Sequence, residues 1–109
     1  MNFEKIIITT HSGQELTLLR EREGKWVCPA CGSPELAIAP WTDEGPSFEM
    51  CGCGLEFGFD DAKGGSKYAL ESIELNWITW RQKLIRKAKF DKLYEMRLRK
   101  TLLNLGVEI

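Results

Sequence analysis

Apolar positions change their rhythm twice along this chain. Ile6-Ile7-Ile8-Thr9-Thr10 is a β-branched run, and Glu15-Leu16-Thr17-Leu18-Leu19-Arg20 follows it after His11-Ser12-Gly13-Gln14. β-branched and aliphatic residues suit a pleated, half-buried surface, and the Ser-Gly pair between the runs is turn chemistry, so residues 3–20 predict a β-hairpin. Residues 26–61 lose this regularity. Short β-like runs at Glu35–Ala39, Ser47–Met50 and Leu55–Phe59 are separated or ended by Pro40, Asp43-Glu44-Gly45-Pro46 and Asp60-Asp61, so long helices are not expected there. From about residue 68 the period becomes helical: Ile73, Trp77, Trp80/Arg81, Leu84, Ile85 and Ala88, then Phe90, Tyr94, Leu98, Leu102 and Leu105. Neither Gly nor Pro occurs between Ser66 and Asn104. Asp91 is a candidate helix cap and Gly106 a stop signal, which predicts two helices or one bent helix.

All four cysteines fall in the irregular middle block, in two close pairs, Cys28-Pro29-Ala30-Cys31 and Cys51-Gly52-Cys53. A tetrahedral Zn²⁺ site binds four thiolates at about 2.3 Å, so the chain must supply sulfurs from two tight turns brought together. Gly32 and Gly54 follow the pairs and let the backbone turn back with its N–H groups toward sulfur. The expected ligands are therefore Cys28, Cys31, Cys51 and Cys53, around a structural zinc, with iron in a rubredoxin-like site as the alternative. The arms Glu35–Ala39 and Ser47–Met50 would form the hairpin that returns the chain to the metal. The Cys-x-Cys pair has a tighter bite than Cys-x-x-Cys, and His11 is a conceivable substitute ligand.

Other chemistries fit less well. Trp26-Val27-Cys28-Pro29-Ala30-Cys31 has the spacing of a thiol oxidoreductase, but Gly32-Ser33-Pro34 would break the helix that such a motif opens. With His11 as the only histidine, a Ser/His/Asp set cannot be built, and four cysteines would fill the shell that a catalytic zinc keeps open. Glu56, Asp60 and Asp61 read as loop acids that cap the helical segment or solvate the surface. The expectation is a protein that is not an enzyme.

Cys28-Pro29-Ala30-Cys31-Gly32 and Pro46-Ser47-Phe48-Glu49-Met50-Cys51-Gly52-Cys53-Gly54-Leu55-Glu56-Phe57-Gly58-Phe59-Asp60-Asp61 resemble the small bacterial cysteine-rich proteins of the CPCC type, which look like zinc ribbons. Trp80-Arg81-Gln82-Lys83-Leu84-Ile85 is similar to the short Arg/Lys/Trp helix that follows the knuckles in that family. The likeness covers roughly residues 26–85. This chain has one residue fewer in the second knuckle. The resemblance implies metal binding in a bacterial cytosolic setting and supplies no reaction.

Composition and charge add the question of partners. The chain has 109 residues, 43% apolar and 28% charged, which is ordinary for a single globular domain. Its purely apolar runs, such as Ile6 to Ile8, are far short of a membrane span. No basic-then-apolar leader is visible at the N-terminus, so the cytosol is the expected compartment. The net charge of −1 conceals an asymmetry: residues 81–109 carry nine Lys/Arg against three acids, a net of +6, which leaves −7 for residues 1–80. The basic helices could bind nucleic acid, or complement the acidic half within one fold or between copies. An apolar helical stripe and four tryptophans point to an unidentified protein partner, or to a homo-oligomer formed through the C-terminal helices. The overall expectation is an α+β domain spanning 1–109: a β-hairpin (1–25), a zinc ribbon (26–61) and a helical C-terminal segment (68–105). Its expected role is a non-enzymatic protein-binding adaptor, with a nucleic-acid-binding ribbon as the alternative and a thiol oxidoreductase as a third.

Overall fold

The computed structural model describes residues 3–22, 24–62 and 69–109. Met1, Asn2 and Glu23, and the expected onset of the helical segment near residue 68, lie outside the described residues. The fold is α+β, with an N-terminal antiparallel hairpin and two C-terminal helices. Strands β1 (Phe3–Thr9) and β2 (Glu15–Glu21) pair in the register Ile6↔Leu18 and Ile8↔Leu16. Period-two alternation puts those four side chains on one face, and Leu16 and Leu18 are fully enclosed there.

The middle block departs from its expected strands. The runs 35–39 and 47–50 do not pair with each other. Leu36 is bridged to Trp26, and Met50 to Glu56. The return is made instead by a two-residue ladder, β3 (Trp41–Thr42) with β4 (Gly45–Pro46), inside what the sequence reads as a turn. The backbone groups of Leu36 are already committed to Trp26 through reciprocal bonds of 2.7 and 3.1 Å, so they are not free for a longer ladder. Leu55–Phe59 is not a strand either. The Asp60 carboxylate accepts from Glu56 N at 2.7 Å and Asp61 Oδ1 accepts from Gly58 N at 2.6 Å, and these side-chain bonds hold the segment in turns.

The helical segment resolves into α1 (Ile73–Ala88) and α2 (Lys92–Leu102), followed by one 3₁₀ turn at Leu103–Leu105. Asp91 caps α2, its Oδ1 accepting from Leu93 N and Tyr94 N at 3.1 Å each. Gly106 ends the run in the left-handed conformation, φ 74°. The start of α1 is capped twice. Ser72 accepts from Leu75 N, and Ile73 N donates to Oε1 of Gln14 in the hairpin turn at 2.8 Å. The Gln14 amide also donates to the carbonyls of Ala69 and Glu71, which ties the hairpin tip to the helix start.

The helical stripes turn inward. Ile73, Trp77, Leu84 and Ala88 of α1, and Leu98 and Leu102 of α2, join Leu16, Leu18, Trp41, Leu55 and Phe57 in one core. Phe90 does not follow. It lies in the elbow before the Asp91 cap, outside the helical phase, and its side chain is 91% exposed.

Candidate metal centre

Each cysteine pair sits at the tip of a small backbone loop, and the two loops are built alike. In the first, Cys28 N donates to Ser33 O and Gly32 N donates to Cys28 O, both at 2.8 Å, above the Trp26–Leu36 bridge. In the second, Cys51 N donates to Leu55 O at 2.9 Å and Gly54 N to Cys51 O at 2.8 Å, above the Met50–Glu56 bridge. The second loop is one residue shorter, yet the bond from the glycine N–H to the first cysteine's carbonyl, the closing glycine and its positive φ recur: 83° at Gly32 and 93° at Gly54. The missing residue shortens the loop without opening it. Sulfur solvation is also shared. Ser33 N donates to Cys31 Sγ at 3.5 Å, and the backbone N–H of Cys53 hydrogen-bonds Cys51.

The two tips face each other. The four Sγ atoms all lie within 4.8 Å of one another, with Cys31–Cys51 at 3.7 Å and Cys28–Cys53 at 4.0 Å. A tetrahedron with metal–sulfur bonds of about 2.3 Å has edges of about 3.8 Å, so these sulfurs fit a divalent ion at their centre. The cysteines are free thiols, far outside the bonding distance of a disulfide. Cys28, Cys31 and Cys51 are buried and Cys53 is half-buried. Crowding splits their acidity. Hydrogen bonding to Cys31, then to Cys51 and Cys53, together with burial, pushes the Cys28 thiol up. Hydrogen bonds from Cys28, then Cys31 and Cys53, pull Cys51 down. Four sulfurs this close share protons unless a cation replaces them.

The helices seat the first loop. From α1, Arg81 Nε donates to Ala30 O at 2.9 Å and its Nη2 to Pro29 O at 2.7 Å. Burial lowers the Arg81 pKa, while Cys28 and Cys31 draw it back up. From the end of α2, Asn104 Nδ2 donates to Gly32 O at 2.8 Å. A Cβ on Gly32 would lie 2.6 Å from the Thr101 carbonyl carbon, so only glycine allows this close approach.

Asp61 completes the support. It is fully buried, and its Oδ2 accepts from Trp41 Nε1 at 2.9 Å and from Trp77 Nε1 at 2.8 Å. Desolvation holds its pKa above the usual carboxylate value, against the pull of the two indole donors and Gly58 N. Asp61 is thus a buried anchor and not the surface acid expected from the sequence. Asp60 likewise bonds its own turn. His11 is exposed at the hairpin tip and is not part of the sulfur cluster.

Sequence reasoning found the four sulfurs and missed Arg81 and Asp61 as their support. The signal for Arg81 was present, because a guanidinium occupied a position on the apolar stripe of α1. The Cys-x-x-Cys pair sits in a turn closed by the Trp26–Leu36 bridge, and not at a helix N-terminus. No helix is long and apolar enough to cross a membrane among the described residues. Comparison of the chain with protein-family models, with curated proteins and with solved structures finds no match.

Proposed function

We propose that this chain is a non-enzymatic binding module built on a structural zinc site. Cys28, Cys31, Cys51 and Cys53 would hold the ion, which would cross-link two turns that share little secondary structure. The observation that carries this reading is the convergence of all four Sγ atoms within 4.8 Å, with three of the cysteines buried. Enclosure of the ligands favours a closed structural site over one that keeps a position for water or substrate. The twin loops also agree with the zinc-ribbon arrangement implied by the CPCC-type resemblance. Iron would fit the same four sulfurs.

The partner reading shifts with the packing. The adaptor expectation rested on an apolar stripe and surplus tryptophans. Leu98 and Leu102 pack into the core, as do Trp41 and Trp77, and Tyr94, Leu105, Trp26 and Trp80 pack against it. The Arg20–Glu4 and Arg99–Glu95 ion pairs each stay within one half of the chain. A partner attracted to the exposed basic residues of α1 and α2 fits this surface better than one attracted to the buried stripe.

The test is metal content. Protein purified without added metal should carry one equivalent of zinc or iron. Cobalt substitution should give the visible absorption of a tetrahedral thiolate site. The Cys51→Ser/Cys53→Ser variant should lose both. A wild-type chain that folds identically and metal-free in chelator would overturn the reading.

A further inference from the structure

Beside the second cysteine loop, the elbow between α1 and α2 forms an open groove of about 880 Å³. One stripe of α1 and the start of α2 line it with Trp80, Lys83, Arg86, Lys87, Phe90 and Tyr94, and Gly52 and Cys53 form its far wall. Residues 80, 83 and 87 share one side of α1 by helical spacing, and the break at Asp91 brings Phe90 and Tyr94 to the same groove. Lys83 Nζ lies 5.1 Å from the Trp80 ring centroid, so a cation and an aromatic face already share one wall. Phe90 is 91% exposed at the elbow, with its ring unengaged by the core that takes up the rest of its stripe. Asp91 is the one acid among the described lining residues, and its carboxylate is occupied by the N–H groups of Leu93 and Tyr94.

We infer that this groove binds single-stranded nucleic acid, with Lys83, Arg86 and Lys87 on the phosphates and Phe90 as a stacking platform for a base. Charge decides the class of occupant. Three cations around one committed acid complement a polyanion, and lysine is depleted where protein partners bury an interface core. Aromatic rings interleaved with cations in a concave groove suit bases that are splayed apart, whereas a duplex keeps its bases stacked away from such a surface. The remaining charge explains the restriction to one face: the −7 of residues 1–80 repels phosphate, and the +6 of residues 81–109 is concentrated on the helices that form the groove. This inference names the partner of the module proposed above and rests on that module being folded.

The test uses the full chain, zinc-loaded and checked for its fold by near-ultraviolet circular dichroism, with a fluorescent oligothymidylate of about ten nucleotides, a typical site size for such grooves. Binding should weaken steeply as salt rises. Lys83→Gln/Lys87→Gln should reduce the slope of log affinity against log salt by roughly 1.4, the value for two lost phosphate contacts on a single strand. Phe90→Ala should weaken binding about fivefold or more with the slope unchanged, because a stacking contact carries no counterion. Three results would each overturn the inference: no binding at low salt by folded, metal-loaded protein; a slope unaffected by the lysine substitutions; or equal affinity for a duplex or for polyglutamate of the same charge. Failure of this kind in a protein that holds its metal leaves the structural-site reading intact. A chain that binds the oligonucleotide yet folds without metal would do the reverse.

Discussion

Asp61 joins three segments at one carboxylate. Its oxygens take the indole N–H of Trp41 in the two-residue ladder, that of Trp77 on α1, and Gly58 N in the turn after the second cysteine loop. Replacing it with Asn leaves one oxygen for three donors and turns an amide N–H₂ toward others, so Asp61→Asn should cost about 2 kcal/mol or more in urea unfolding. The pH dependence has a definite sign. Burial raises the folded pKa of Asp61 above its unfolded value, so the folded state takes up this proton first. The stability tied to that proton is fully present below the unfolded pKa and is lost as pH rises through the folded one. The advantage of wild type over Asp61→Asn should therefore widen as pH is lowered from neutral toward the unfolded carboxylate pKa of about 4, in paired unfolding curves that cancel the titration of the cysteines. A gap that is constant or narrows would show that the carboxyl is not the titrating group.

At the scale of elements, α1 supports the first cysteine loop through Arg81, whose guanidinium bonds two consecutive carbonyls between the cysteines. Arg81→Met keeps the apolar stem and removes both bonds. It should lower stability by about 2 kcal/mol and speed loss of a bound metal to a chelator, with helix content retained. A variant that releases metal at the wild-type rate would refute that support. The same elements show what was legible in the sequence. The hairpin was readable because alternation and a Ser-Gly turn agree, and the second helix because Asp91 and Gly106 mark its ends. The cysteine set was readable from spacing alone. The middle strands were not, because their backbone groups are claimed by Trp26, Asp60 and Asp61, contacts that no local pattern announces. Nor could the double cap of α1 be read, since Gln14 reaches it from 59 residues away. The stripe of α2 was correctly seen as apolar, but its cover, the protein's own core, is a long-range fact.

For the whole molecule, hairpin, loops and helices share one core, and the cysteine cluster lies within it. Removing the metal should not melt the middle block alone. Helical circular dichroism at 222 nm, an amide band that no tryptophan in the loops dominates, and tryptophan fluorescence should fall together on one curve as chelator is titrated. Separate transitions would mean that the helices stand without the loops. The contact of Gly32 with Thr101, and of its carbonyl with Asn104, has a consequence for biosynthesis. A ribosome releases all four thiols well before it releases the helix that closes over them. Until that helix emerges, the nascent chain displays four thiols with nothing over them, and in this interval cellular cations and oxidants would compete for them.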